Sequence, residues 1–165
     1  MMKTAIIYYS MSGNTAYVAE LLKKQLDSEA TLIEIKPVKA FPDSGFKKFF
    51  WGGKSAVMGE KPKLCDYPFD ADEYDQIIIG FPVWAGRVAP PIRTFVEDNK
   101  TALGQKRIAA FACQSGSGAE KALDGLKKLI GITDFQSEMI LIDPKEKPNK
   151  TNEENIDAFC EVIKS

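Results

Sequence analysis

Short apolar segments alternate along the chain with longer segments in which apolar residues recur every three or four positions. The short segments are rich in Ile, Tyr, Phe and Val, which is typical of strands buried on both faces. They predict five strands, at Lys3–Tyr9, Thr31–Ile35, Gln76–Phe81, Arg107–Cys113 and Glu138–Ile142. The alternation predicts an α/β fold with a parallel sheet, helices on both of its faces and right-handed connections.

The longer segments each carry one apolar face at helical spacing. The four faces are Val18, Ala19, Leu22 and Leu26; Ile92, Phe95 and Val96; Ala122, Leu123, Leu126, Leu129 and Ile130; and Ile156, Phe159, Cys160 and Ile163. Pro90-Pro91 fits a first helical turn, where a missing N–H costs little. Gly104 and Gly131 stand where helices commonly end. The spacing of Thr151 and Glu154 predicts a capping box that opens the last helix.

The composition is that of an ordinary globular protein. Apolar residues make up 44% and charged residues 27% of the 165 residues, a length typical of one domain, so we expect a single domain over residues 1–165. The 22 basic and 23 acidic residues give a net charge of −1, which implies neither a nucleic acid nor a membrane as partner.

The cysteines and the N-terminus indicate the compartment. The three cysteines, Cys65, Cys113 and Cys160, form no even set, which favours a reducing environment. The apolar run near the N-terminus is too short for a signal peptide or a membrane span. We therefore expect a cytoplasmic protein.

The chain contains no histidine. This excludes Ser-His-Asp and Cys-His catalytic sites and every metal site that uses a histidine ligand. We accordingly predict no catalytic side chain and no metal site, and expect the chemistry to come from a bound group.

The loop after the first predicted strand is rich in hydrogen-bonding groups. This first loop reads Ser10-Met11-Ser12-Gly13-Asn14-Thr15, contains neither Lys nor Arg, and leads directly into a helix. Hydroxyls, an amide and the N–H groups of a helix N-terminus can together hold a phosphate. The same residue types also favour a helix N-cap, although a cap needs only one of them. The loop favours a phosphate site, with a simple cap as the alternative.

Two more loops follow neighbouring strands. In the second loop, Trp84 stands between Pro82-Val83 and Ala85-Gly86-Arg87, where its ring could face a planar ligand or pack as an ordinary apolar residue. Arg87 is by default a solvated residue at a helix start. The third loop, Cys113-Gln114-Ser115-Gly116-Ser117-Gly118, is small and polar. Because ligands of open parallel sheets bind beyond the carboxyl ends of the strands, these loops are the expected site.

Other phosphate chemistries lack their required residues. The first loop has no Lys after a second glycine, as a Walker loop needs, and only one glycine, where a dinucleotide loop needs several. A phosphatase loop needs an Arg six residues after its nucleophilic Cys, but Ala119 and Ala71 stand at that distance from Cys113 and Cys65. Cys113 is therefore expected to be a small buried residue rather than a nucleophile. A phosphate-accepting signalling domain is disfavoured too, because no Asp ends the first strand.

Together the three loops resemble those of the flavodoxin family. The first loop, Ser-x-Ser-Gly-Asn-Thr, is the most specific element, and the likeness covers essentially the whole chain. The resemblance implies a flavodoxin-like three-layer doubly wound sandwich, with a five-stranded parallel sheet in the order 2-1-3-4-5. It also implies flavin mononucleotide (FMN) as a non-covalently bound cofactor.

The resemblance implies a role for each loop in FMN binding. The first loop, Ser10, Met11, Ser12, Gly13, Asn14 and Thr15, would hold the phosphate. The isoalloxazine ring would lie against Pro82, Val83, Trp84, Ala85, Gly86 and Arg87 and be flanked by Cys113, Gln114, Ser115, Gly116 and Gly118. A peptide near Ala85-Gly86 could accept a hydrogen bond from the reduced flavin. Arg87, if it approaches the pyrimidine edge, is expected to raise the potential of the second one-electron reduction.

Two functions remain open on this scaffold. One is an electron carrier between redox partner proteins, a reductase and an acceptor. The other is an enzyme that reduces a quinone, a flavin or another small acceptor with NAD(P)H. The small size and the lack of an obvious nicotinamide motif favour the carrier, whereas the near-neutral charge allows the enzyme. Phe41–Leu64, rich in aromatic residues and lysines, is expected to form an amphipathic helix on the sheet, or else a docking surface or a lid.

Overall fold

Five parallel strands form the central sheet of the structure, a computed structural model that describes residues 2–26, 30–41 and 61–165. The parallel strands are β1 (Thr4–Tyr8), β2 (Ala30–Glu34), β3 (Gln76–Trp84), β5 (Arg107–Gln114) and β6 (Glu138–Ile142), and the short β4 (Arg87–Val88) pairs antiparallel with β3. Their spatial order is β2-β1-β3-β5-β6. Numbered by the parallel strands alone this is 2-1-3-4-5, so the predicted order is confirmed.

Helices cover both faces of the sheet. The four are α1 (Asn14–Leu26), α2 (Pro90–Leu103), α3 (Ala119–Ile130) and α4 (Lys150–Lys164), and a single 3₁₀ turn spans Ala71–Glu73. The apolar residues of α2 and α3 pack in one buried cluster and those of α1 and α4 in another. The predicted three-layer arrangement is confirmed. No helix in the described ranges has the length and apolar character needed to cross a membrane.

The alternation of side chains along the strands builds these two clusters. In β1, Ile7 faces α2 and α3 while Ile6 faces α1, and both are fully buried. Ile77 and Ile78 of β3 divide in the same way. Burying one such side chain stabilises the fold by about 1.5–3 kcal/mol. Because both faces of the sheet are buried, the strand sequences are continuous apolar runs.

The helix ends confirm some predictions and correct one. Pro90 and Pro91 open α2, and Gly104 and Gly131 follow the ends of α2 and α3. The predicted capping box at Thr151 is wrong, because α4 begins at Lys150. Its N-cap is Asn149, whose side-chain oxygen accepts a hydrogen bond from the Asn152 N–H at 2.8 Å.

Two further expectations concern the segments beside the sheet. β3 was expected to end at Phe81 but continues to Trp84, because its last residues pair with β4. The predicted end of β3 was wrong, because its pairing partner β4 is formed by residues that come later in the chain. The helix expected within Phe41–Leu64 falls mainly on residues 42–60, which lie outside the described residues.

Substitution of Gly80 tests the packing of the sheet. Gly80 of β3 lies opposite Phe111 of β5, and a Cβ built on Gly80 would overlap the Phe111 ring. We expect Gly80→Ala to lower the free energy of unfolding by about 1–3 kcal/mol, because a close-packed core must shift to accept the methyl group. Denaturant unfolding monitored by circular dichroism measures the change.

Gly125→Ala is the matched control. A Cβ on Gly125 of α3 would meet nothing within 4 Å, so the variant should be more stable by about 0.5–1 kcal/mol through helix propensity alone. Adding Phe111→Leu to Gly80→Ala should cost less than the two single changes together. A Gly80→Ala variant as stable as the wild type would contradict the packing described.

Candidate functional site

A cavity of about 400 Å³ lies where the carboxyl ends of β1, β3 and β5 meet. This size lies within the range of pockets for small molecules, about 300–1,000 Å³. Residues of all three predicted loops line it: Ser10, Met11, Ser12, Asn14, Thr15, Pro82, Val83, Trp84, Ala85, Cys113, Gln114, Ser115, Gly116 and Ser117. The structure therefore brings the three loops together at one edge of the sheet.

The first loop presents hydrogen-bond donors to this cavity. Helix geometry leaves the first N–H groups of α1, those of Asn14 and Thr15, without an intrahelical acceptor. The Ala16 N–H donates to Ser10 Oγ at 3.1 Å, and the Ser10 hydroxyl keeps its own proton for donation. Gly13 turns the chain into the helix with a φ of 99°, which a glycine adopts without strain. Free donors at a helix N-terminus fit an anionic group such as a phosphate.

Two side chains of the first loop already have partners within the protein. Asn14 Oδ1 accepts a hydrogen bond from the Lys145 N–H at 2.9 Å, which leaves the Asn14 amide N–H groups for a ligand. Thr15 is only 1% exposed and hydrogen-bonds the Cys113 thiol. Ser12, in contrast, is exposed and lines the cavity. Its hydroxyl is therefore the side chain of this loop most open to a ligand.

A tight hairpin forms the opposite wall. Ala85 and Gly86 connect β3 to β4 with φ values of 50° and 69°, and positive values at both positions are typical of a type I′ turn. Arg87 pairs with Trp84 across this hairpin. Arg87 is thus a half-buried strand residue, which corrects the expectation of a solvated helix start. Its effect on a flavin potential stays a prediction.

Trp84 combines the two roles considered for it. Its ring makes edge-on contacts with Tyr9, at 5.8 Å between ring centroids, and with Phe41, at 5.2 Å. The same side chain lines the cavity. Neighbouring aromatic rings that pack edge-on fix each other's orientation. Trp84 is therefore a packed residue that also offers an apolar surface to a ligand.

The third loop is held in place by polar contacts. Gln114 Oε1 accepts a hydrogen bond from the Ala119 N–H at 3.0 Å, and the Ser115 hydroxyl donates to Asp143 Oδ1 at 2.6 Å. Gly118 lies so close to the hairpin that an added Cβ would lie 2.8 Å from Gly86 Cα. Neither glycine lines the cavity, and the same is true of Gly13 and Arg87. These four predicted residues belong to the loops around the cavity without lining it.

The loop between β6 and α4 was not singled out from the sequence. It brings Asp143, which is buried and has a φ of 41°, against Ser115, and Lys145 against Asn14. The sequence does indicate this position, because Asp143-Pro144 directly follows the last predicted strand and so lies at the same edge of the sheet as the other loops. Within the described ranges, no group of acidic or cysteine side chains could hold a metal ion.

Cys113 is buried at the base of the cavity. Burial raises the pKa of its thiol to about 12, the hydrogen bond with Thr15 lowers it in part, and the negative charge of Glu146 raises it further. The thiolate is the nucleophilic form of cysteine. A thiol with this pKa is a poor nucleophile, in agreement with the expectation of a small buried residue.

Comparison with known proteins identifies the family and the fold. Residues 3–154 match the family model described as Flavodoxin. A flavoprotein of Lactobacillus acidophilus, solved in complex with FMN, is 23% identical, with a TM-score of 0.74 over 96% of this chain and 99% of that one. Flavodoxin 2 of Bacillus cereus is 20% identical, with a TM-score of 0.59 over 98% of this chain and 97% of that one.

The environments of the cysteines predict their reactivity. At pH 8 only about 10⁻⁴ of Cys113 thiols would be ionised at a pKa of about 12, and burial also raises the pKa of Cys160, to about 11. Cys65 is exposed. We expect iodoacetamide to label the folded protein once, at Cys65, as measured by mass spectrometry. Cys65→Ser should stay unlabelled, and denaturant should expose two thiols in it. Rapid labelling of Cys113 in folded Cys65→Ser would contradict the buried environment described for that thiol.

Proposed function

Because the chain belongs to the flavodoxin family, we propose that it binds FMN in this cavity and carries electrons between redox partner proteins. The observation that carries the proposal is the pairing of two walls around one cavity. One wall offers uncharged hydrogen-bond donors at the start of α1, and the other offers the indole of Trp84. A phosphate at the first wall and a planar ring at the second is the arrangement of polar and apolar groups in FMN.

The donor set of the first loop supports this assignment. Hydroxyl groups of Ser10 and Ser12, the amide of Asn14 and the backbone N–H groups at the helix N-terminus are all donors. A phosphate accepts hydrogen bonds at each of its oxygens, and charge-assisted bonds of this kind are about twice as strong as neutral ones. The residues present therefore fit the phosphate of FMN.

The protein and the cofactor divide the chemistry. FMN supplies the electron-carrying group when it is bound, and the protein orients it and controls the access of water and partners. Val83, Trp84 and Ala85 line the apolar side of the cavity. The fold is shared with a Lactobacillus acidophilus flavoprotein that was solved in complex with FMN, which supports FMN as the ligand proposed here.

We infer electron carriage rather than enzymatic turnover from the small size of the chain and the lack of an obvious nicotinamide motif in it. The site offers no histidine, and its cysteine is a buried thiol of raised pKa, so no described side chain in the cavity is set up for acid–base or nucleophilic chemistry. One-electron or two-electron exchange through a bound flavin needs no such side chain. The partner proteins that we propose are a reductase and an acceptor.

Titration with FMN tests the cofactor assignment. We expect the wild-type protein to quench the fluorescence of added FMN, and Ser12→Ala to weaken binding by about tenfold to a hundredfold, because it removes a hydrogen bond to a charged group. Thr101→Ala, in the last turn of α2 at the opposite edge of the sheet, is the matched control and should bind as the wild type does. Wild-type protein that leaves micromolar FMN unbound would contradict the proposal.

Reduction of the FMN-loaded protein separates the carrier from the enzyme. A carrier should resist NADPH alone, become reduced when a flavin reductase is added, and take up its two electrons in two separate one-electron waves. Absorption spectra recorded during stepwise reduction measure both properties. Prompt bleaching by NADPH alone, with turnover of an added quinone, would instead identify an NAD(P)H-dependent oxidoreductase.

A further inference from the structure

Lys145 approaches the first loop from a distant part of the chain. Its backbone N–H donates to Asn14 Oδ1 at 2.9 Å, across 131 positions of sequence. Its side chain extends over the turn, so that a Cβ built on Gly13 would lie 2.9 Å from Lys145 Nζ and 3.4 Å from Cδ. The missing side chain of Gly13 leaves the space in which the ammonium group lies. A loop without any Lys or Arg of its own thus receives a cation from another segment.

The loop that carries Lys145 is fixed at both ends. The Asp143 N–H donates to the Gln114 carbonyl at 3.0 Å, and the Asp143 carboxylate accepts a hydrogen bond from Ser115 at 2.6 Å. The Lys147 N–H closes a turn onto the Asp143 carbonyl at 2.7 Å. These contacts tie the residues before and after Lys145 to the third loop. The backbone position of Lys145 is therefore set by the fold.

Lys145 differs from the lysines around it in its charge partners. Lys147 pairs with Asp143 at 3.4 Å, and Lys150 pairs with Glu154 at 3.7 Å. Within the part of the chain that the structure describes, no carboxylate lies within the ion-pair distance of 4.0 Å from Lys145 Nζ. Glu146 contributes a negative charge near Cys113 and opposes an anion in the cavity. The ammonium group of Lys145 is available to a ligand.

We propose that Lys145 is the cation that recognises the cofactor phosphate and makes this site select FMN over riboflavin. The proposal rests on the proposed function, because it assumes a flavin in the cavity. A phosphate dianion beside the start of α1 would lie next to the free N–H groups, and the Lys145 ammonium, which lies against Gly13 of the same loop without lining the cavity, would attract it electrostatically. Riboflavin lacks the phosphate and would gain nothing from the lysine. The contribution of Lys145 should also fall as salt screens the exposed charge.

Binding of FMN and of riboflavin to the full chain tests the proposal. We expect Lys145→Gln to weaken FMN binding about tenfold while riboflavin binding stays unchanged, as measured by fluorescence titration. Lys145→Arg should restore most of the affinity, and Glu146→Gln should strengthen FMN binding. Raising the salt from about 20 mM to about 500 mM should weaken FMN binding to the wild type more than to Lys145→Gln.

Lys150→Gln is the matched control, since it removes one positive charge from the same end of the molecule and should leave both affinities within about twofold. Equal losses for FMN and riboflavin in Lys145→Gln would overturn the proposal in favour of a structural role of the Lys145 side chain against the Gly13 turn. Unchanged FMN affinity in Lys145→Gln would overturn it as well. Wild-type protein that binds neither flavin would refute the proposed function itself, which is a distinguishable result.

Discussion

The parallel register of β1, β3 and β5 is the constraint on which the rest of the structure depends. Tyr8 lies opposite Gly80, and Gly80 lies opposite Phe111, so the three strands run side by side in one direction. Strands that run parallel must release their loops at the same edge. Because Gly80 has no side chain, the Phe111 ring packs against it. This packing fixes β3 beside β5 and so also fixes the loops that follow these two strands.

The polar groups around the cavity serve the fold and the ligand at once. The Ser10 hydroxyl accepts one hydrogen bond and can still donate another. The Asn14 side-chain oxygen accepts a hydrogen bond from the Lys145 N–H, and the Asn14 side-chain N–H groups stay available. Polar groups without partners are costly to bury, so the protein satisfies part of each group's hydrogen-bonding capacity internally. A site built in this way is preorganised before a ligand arrives, which lowers the free-energy cost of binding.

Most of the fold could be predicted because it depends on local patterns. Apolar runs marked the five strands, and helical spacing marked the faces of α1 to α4. The errors lay where a distant or later residue changes a boundary. β3 extends to Trp84 because Arg87 and Val88 turn back to pair with it, and α4 starts early because Asn149 supplies the cap.

For the candidate site, the sequence by itself determined which loops carry hydrogen-bonding and apolar groups, since the residue types of Ser10–Thr15, Trp84 and Ser115 are local information. Only the tertiary structure decided which of these groups keep free donors and which charge stands beside them. Lys145 and Asp143 reach the site through the register of β6 and the course of the loop that follows it. Lys145 contacts Asn14 across 131 positions and Asp143 contacts Ser115 across 28. The place of Asp143 after the last strand indicates the edge of the sheet at which it lies, but these partners depend on the packing of the whole chain.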